Sequence, residues 1–396
     1  MQTNLSRRIK ALEPSATMTM AAKAKELKAS GRKVLSLSLG EPDFNTPRHI
    51  CDAAVQAMMD GKTRYTVASG IPELKEAVCK SYNARHGLNY APANVTVGNG
   101  AKHCLHNIFT VLIDEGEEVI IPAPYWVSYA EIVKLAGGVP VIVQTQQEND
   151  FKLTADQLRE NCTSKTKCLL LCSPSNPTGS MYSGEELGAL ADVVLEKELW
   201  VVSDEIYENL VYGDTPFVSF PTVRPNLMER VCLINGVSKT YAMTGWRIGW
   251  SMAPADVAKK MASLQSQETS NPCSISQYAA LAAIEGPQDC VEEMRKEFAK
   301  RRDYVAKRID QIDGFSCPCM GGAFYAFINI AAHLGRMYGD KMIENDTDWC
   351  LELLDKKGVA TVMGSAFGAP GYVRISFANS MEELEQAFDL IEEFIA

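Results

Sequence analysis

The chain has 396 residues, 46% of them hydrophobic and 22% charged, ordinary proportions for a globular enzyme with a large core. A formal net charge of −10 without any basic tail excludes nucleic acid as the expected partner. No apolar run reaches the roughly 20 residues of a membrane helix, and the basic stretch Met1 to Lys10 leads into no apolar segment, so neither a membrane anchor nor a secretory signal is expected.

In chain order, a helix is predicted from Ser15 to Ser30, stopped at Gly31, followed by a strand from Val34 to Leu39 that Gly40-Glu41-Pro42-Asp43-Phe44 breaks. Pro47 to Met59 predicts a second helix. Gly61-Lys62-Thr63 imitates the end of a phosphate-binding P-loop, but the first Gly of that motif is here Gln56. Val95-Thr96-Val97, Gly98-Asn99-Gly100-Ala101-Lys102 and an apolar helical pattern to Ile113 predict a strand, a Gly-rich turn and a helix start, where free N–H groups and the helix dipole favour phosphate. The turn is not a dinucleotide fingerprint, because His103 stands in place of its third Gly. Further strands are predicted from Val119, Val139, Cys168, Trp200, Val231 and Gly249. With helical stretches between most of them, these seven predict an α/β fold: a large unit, residues 46–286, built on a mostly parallel sheet between helices. A charged helix from Gln288 to Asp310, strands at Ala323 to Ile328, Ala360 to Val362 and Val373 to Phe377, and a closing helix from Met381 to Ile395 predict a smaller α+β unit, residues 287–396 joined by 1–45. The twelve Cys are scattered, and Cys317-Pro318-Cys319 has the spacing of neither a zinc knuckle nor a redox pair. Reduced thiols in a cytoplasmic protein, with no metal site, are the expectation.

The chemistry concentrates in Asn235-Gly236-Val237-Ser238-Lys239-Thr240, with Arg247 eight residues beyond Lys239 on the same loop between two strands. A Lys among small residues on such a loop is open to desolvation, which leaves a neutral amine able to form a Schiff base. An Arg returning to the same place can hold a phosphate by two hydrogen bonds. An aldehyde that carries a phosphate suits both, and pyridoxal phosphate is the candidate. It needs a carboxylate to keep its ring nitrogen protonated. Asp204, at the end of the apolar strand from Trp200, stands where open parallel sheets place their ligands. Arg374 lies within the apolar run Tyr372 to Ser376, so either a protein carboxylate or a ligand carboxylate should meet it.

Ser173-Pro174-Ser175-Asn176-Pro177-Thr178-Gly179, Ser203-Asp204-Glu205-Ile206-Tyr207 and the Lys239 to Gly249 stretch resemble, in order and spacing, the three signatures of the fold type I pyridoxal-phosphate aminotransferases, close to the aspartate aminotransferases. The resemblance implies further roles. The loop at Gly40 closes over the substrate, and the amides of Gly100, Ala101 and Lys102 form a phosphate cup. Trp126 stacks on the pyridine ring, while Asn176 and Tyr207 bond its hydroxyl oxygen. Arg374 grips the substrate's α-carboxylate, Tyr65 reaches the cofactor phosphate of the neighbouring subunit of a homodimer, and the Ala123-Pro124 and Asn176-Pro177 bonds are cis. In one branch of the family a Lys at the position of Lys102 meets the substrate's distal carboxylate.

Two departures accompany the match. Gly236 stands where many relatives place a phosphate-binding Ser, with Ser238 available to compensate, and Thr269-Ser270-Asn271-Pro272 contains no Arg for the distal carboxylate. The expected activity is transamination between an L-amino acid, aspartate first, and 2-oxoglutarate, so the partners are small amino acids and 2-oxo acids. The alternatives are an aromatic or broad-specificity aminotransferase and a cysteine-conjugate β-lyase. A transcriptional regulator would need a DNA-binding domain, for which the roughly forty residues before the large unit show no basic bias.

Overall fold

Residues 5–396 are described by the computed structural model. Within them seven strands form one sheet, in the order Val95–Gly98, Gly249–Met252, Val231–Gly236, Trp200–Asp204, Thr166–Cys172, Glu118–Ala123, Val139–Gln144. Gly249–Met252 runs against the other six. Neighbouring side chains in these strands face opposite ways, and both faces are covered, which is why the strands read as continuous apolar runs. Ile120, Leu169, Leu171, Val201 and Leu233 join one apolar cluster, whereas Val119, Ile121, Leu170, Val202 and Ile234 join the other. Helices Arg48–Met59, Pro72–His86, Gly184–Glu196 and Ser274–Glu285 supply the first cluster; Ala101–Leu112, Ser128–Leu135 and Ala255–Glu268 supply the second.

Because six strands share a direction, Gly98, Ala123, Gln144, Cys172, Asp204 and Gly236 all end at one edge of the sheet. Gly249 starts there and pairs with both Gly98 and Gly236. The loops that leave this edge therefore converge, and with them the Gly-rich turn, Trp126, Asn176, Asp204 and Lys239.

A third apolar cluster is built from the two ends of the chain. It holds the three-stranded antiparallel sheet Val362–Met363, Tyr372–Ser376, Tyr325–Asn329, the short parallel pair Leu35–Ser36 with Val359–Ala360, and helices Ala16–Ala29, Asp289–Gln311, Asp346–Lys357 and Met381–Ile395. Ile206, Tyr207, Leu210 and Tyr212 enter this cluster from beyond the large sheet, so the two parts pack directly against each other. The strand predicted from Val34 to Leu39 shortens to Leu35–Ser36, since its partner is two residues long; Leu37 then bonds Ala360 and Ser376 through its own backbone. Ala123-Pro124 and Asn176-Pro177 are cis, as the resemblance implies, and so is Ser173-Pro174. Among the described residues no helix is long and apolar enough to cross a membrane.

Candidate active site

The strand ends on one side, and Leu39 to Glu41, Tyr325 and Arg374 from the part built by the chain ends on the other, line a cleft of about 360 Å³. Lys239 enters it three residues after Gly236, with its side chain half-buried and Nζ donating to the Gly40 carbonyl at 2.6 Å. Burial pushes its ammonium down to about 8; the Glu41 carboxylate opposes this, and Arg374 and Arg247 reinforce it. A Lys of this kind is substantially neutral slightly above neutral pH, whereas an exposed one is not.

Asp204 lies across the cleft, buried at the last position of its strand. Its Oδ2 accepts the Tyr129 hydroxyl at 2.7 Å and its Oδ1 the Ile206 N–H at 3.3 Å. Burial pushes the carboxyl up to about 6, with those two hydrogen bonds and Lys239 opposing. A buried carboxylate with one short hydrogen bond retains capacity to accept another from a cationic N–H.

Gly100 precedes helix Ala101–Leu112 with φ 87° and contributes no side-chain cap, so the first N–H groups of that helix are open to an anion. The positive φ favours glycine there, and a Cβ would also stand 2.5 Å from Arg247 Nη2 and push that side chain aside. Arg247, itself at φ 55°, donates to the carbonyls of Thr244 at 2.8 Å and Asn99 at 3.4 Å. It is exposed, and no carboxylate among the described residues neutralises it at the cup. Ser238 is buried along the same wall. A Ser at 236, which the resemblance led one to look for, does not fit in this chain, because a Cβ on Gly236 would lie 2.8 Å from Gly249 Cα.

Trp126 is half-buried, edge-on to Tyr129 at 5.3 Å, and Lys102 Nζ lies 4.8 Å from its ring centroid. Burial, and then Arg247, lower the Lys102 ammonium. On the opposite side Arg374 is 2% exposed, stacked over Tyr325 at 4.6 Å, with Nη1 donating to Asn176 Oδ1 at 3.0 Å and Nη2 to the Ser38 carbonyl at 2.6 Å. Its Nε has no partner, and no protein carboxylate pairs with it among the described residues. Of the two explanations for a cation in an apolar strand, the internal salt bridge is therefore absent. Tyr207 is buried, its hydroxyl 2.9 Å from that of Tyr325, and burial raises its pKa well above the ordinary phenol value. Gly40 is packed so closely on the Tyr325 hydroxyl that any side chain there would collide with it.

Eleven of the thirteen residues singled out from sequence line this one cleft, and Gly100 adjoins it through Arg247. Tyr65 does not: its ring is 90% exposed, away from the cleft of its own chain. Among the described residues, no group of three His, Cys, Asp or Glu side chains is placed to hold a metal.

A family model described as aminotransferase class I and II matches residues 32–391. The chain belongs to this family. It is 50% identical over 391 residues to an aspartate aminotransferase of Geobacillus stearothermophilus, covering 99% of this chain and 98% of the relative. An aspartate/prephenate aminotransferase of Cereibacter sphaeroides is 45% identical over 394 residues, with 99% and 98% covered. Among solved structures, the aspartate aminotransferase of Rhizobium meliloti superposes with a TM-score of 0.96 at 42% identity, covering 99% and 98% of the two chains. That of Thermus thermophilus with maleate gives 0.92 at 39% identity, covering 99% and 100%.

Several residues of the aminotransferase cleft escape sequence reasoning. Tyr129 is one helical turn beyond Trp126, and this i, i+3 spacing was an available signal. Tyr325 supports both Arg374 and Tyr207, yet in sequence it is simply another strand aromatic. Glu41 bonds Thr244 across the cleft at 2.8 Å, and Asp43 makes a two-pronged pair with the buried Arg301 at 2.7 and 3.0 Å. Nothing local announces the second contact, since its partners are 258 residues apart.

Proposed function

We propose that this aminotransferase uses pyridoxal phosphate to move the amino group between L-aspartate and 2-oxoglutarate. The observation that carries the reading is the convergence of three groups in one cleft: a half-buried Lys with a lowered pKa, a buried carboxylate, and a buried Arg with no carboxylate partner among the described residues. The residues fit the cofactor. The open N–H groups after Gly100, with Ser238 and Arg247, would hold its phosphate; Trp126 would flank the ring, and Asn176 and Tyr207 would bond its hydroxyl oxygen. When bound, the group supplies an aldehyde for the substrate amine and a ring that accepts the electron pair left on Cα.

The chain's own residues do the rest. Arg374 clamps the α-carboxylate and so fixes which Cα bond faces the cofactor plane. Lys239 Nζ would take the proton from Cα and deliver it, on the same face, to the cofactor carbon that bore the aldehyde, a task suited to an amine that titrates near 8. Asp204 keeps a proton on the ring nitrogen and thereby favours electron withdrawal. The Gly40 loop, which Asp43 ties to Arg301, borders the substrate site. The two-part division, 46–286 against 1–45 with 287–396, belongs to this reading and is supported by the separate apolar clusters. A homodimer with shared active sites does too: Met59, Tyr65 and Val67 are 78%, 90% and 59% exposed along one stretch, an apolar surface that a second copy would cover.

The protein as purified should be yellow, and borohydride should attach pyridoxal phosphate covalently to Lys239, read out by peptide mass. A protein that stays colourless when given pyridoxal phosphate ends the reading.

Aspartate is favoured by the relatives' names, by the maleate in the Thermus structure, which is a dicarboxylate, and by Lys102 at the mouth of the cleft. A cation in the first turn of a helix opposes the dipole, a small penalty that an anionic substrate group would offset. One charge-assisted hydrogen bond contributes about 1.5–3 kcal/mol. Lys102→Ala should therefore lower kcat/KM for aspartate about ten- to two-hundredfold and that for aromatic donors much less. Unchanged aspartate kinetics would favour an aromatic or broad-specificity enzyme. The relatives named for prephenate support a second acceptor, and including prephenate beside 2-oxoglutarate in the panel tests it.

A further inference from the structure

Behind the Lys239 loop, on the sheet face away from the cleft, lies a second polar cavity of about 130 Å³. Its wall carries Glu208, four residues after Asp204 and itself buried. The Glu208 carboxylate is fully engaged. Oε1 meets Arg85 Nη1 at 2.9 Å and accepts Asn235 Nδ2 at 2.8 Å, and Oε2 lies 3.0 Å from His86 Nε2. Burial would raise its pKa, but the His86 and Arg85 contacts outweigh that and hold it below the usual carboxylate value. Arg85 and His86 close the helix Pro72–His86, whose Tyr82 hydroxyl bonds Glu205 of the same turn. Tyr241 completes the titratable groups around the cavity, and its hydroxyl donates to Gln288 at 2.8 Å.

The network continues toward Lys239. Asn235 Oδ1 accepts the Gly236 N–H at 2.8 Å, at the strand end from which the Lys loop departs. A parallel link runs from Arg85 through Asn209 Oδ1 at 3.3 Å, and from Asn209 Nδ2 to Thr240 Oγ1 at 3.2 Å, the residue after Lys239. Two side-chain bridges thus join the turn that carries Asp204 to the loop that carries Lys239. Both start from consecutive residues, Glu208 and Asn209, and Arg85 braces both. The ladder between the strands ends at Asp204 with Ile234, followed by one more backbone bond, from the Glu205 N–H to the Ile234 carbonyl at 2.9 Å; beyond it these side-chain bridges connect the two segments.

We infer that Glu208 is a positioning residue for the reaction: anchored by Arg85 and His86, it holds Asn235 and with it the placement of the Lys239 amine opposite Asp204. The inference rests on the proposed role of Lys239. Loss of the carboxylate would let the loop shift, and a reacting group that is loosely held costs rate rather than substrate affinity.

The test uses the full-length protein loaded with pyridoxal phosphate and compares the parent with Glu208→Ala, Glu208→Gln and Asn235→Ala. The readouts are kcat and KM for aspartate, the pH midpoint of the visible absorbance, and Tm. Glu208→Ala should lower kcat about tenfold or more with KM changed little, and move the absorbance midpoint by about half a unit or more. Glu208→Gln keeps an oxygen for Asn235 and should recover kcat to within about threefold of the parent. Removing a buried partner leaves Arg85 uncompensated, so Asn235→Ala, which cuts the same link and keeps the ion pairs, provides the second route and should reproduce the kcat loss and the midpoint shift. Ile284→Ala, on the cavity wall, should lower Tm while leaving kcat and midpoint unchanged. A normal midpoint and kcat in both Glu208→Ala and Asn235→Ala, or in Asn235→Ala where Glu208→Ala does not fold, overturns the inference. A parent without any visible band overturns the Lys239 reading, and this inference falls with it.

Discussion

Lys239→Ala is expected to lower kcat for aspartate by about 10⁴-fold or more, the loss anticipated when a general acid–base group is removed together with the site of cofactor attachment. Lys239→Arg should be equally inactive. Arg keeps the positive charge but does not deprotonate, so it cannot accept the Cα proton. The pair of variants separates two roles for a cation in this cleft. If Lys239 served only to neutralise Glu41 and Asp204, the Arg variant would retain most of the activity. If its task is proton transfer, burial is functional, because it brings the amine to about 8 and supplies the neutral form. Single-turnover rates of the two proteins, with cofactor occupancy measured on the same samples, decide between them.

What could be read from the sequence follows from which interactions are local. Lys239, Asp204 and Asn176 each stand just beyond an apolar run, and in a parallel sheet every such run ends at the same edge, so their convergence was visible as soon as the strands were. Arg374 was legible as a charge in an apolar strand, but not which anion it awaits; that required the finding that only Asn176 and the Ser38 carbonyl occupy its Nη atoms. The helix Asp346–Lys357 had its signals in place, the Asn345 cap and the left-handed Gly358, and Pro72–His86 had Leu74, Ala77, Val78 and Tyr82 at helical spacing with Gly87 beyond. Neither element carries a cleft residue, and the sequence reading passes over both. The Gly236 departure became intelligible only in three dimensions, since Gly249 on the facing strand leaves no room for a side chain. Tyr65 is exposed and stays apart from the cleft of its own chain, so its position there was not legible from the motif alone.

Asp204→Ala should reduce transamination by about 10³-fold or more, at the upper end of what removing one preorganised electrostatic partner costs. The protein should still take up pyridoxal phosphate, because the Gly100 turn and Arg247 lie on separate elements and do not touch Asp204. Asp204→Asn sharpens the result. Asn preserves the shape of the site and can still accept the Tyr129 hydroxyl, which is bonded at 2.7 Å in the parent, but it has no charge with which to hold a proton on the ring nitrogen. Both variants should therefore be impaired alike, and Tyr129→Phe, which leaves the charge, should be impaired far less. Near-normal turnover in Asp204→Asn would mean that the hydrogen-bonding shape is enough. Near-normal turnover in Asp204→Ala would mean that the wrong carboxylate has been chosen. Glu41 is the other carboxylate along the described cleft, and it is committed to Thr244 at 2.8 Å on the mouth side, so Glu41→Gln run in parallel would show which of the two the chemistry depends on.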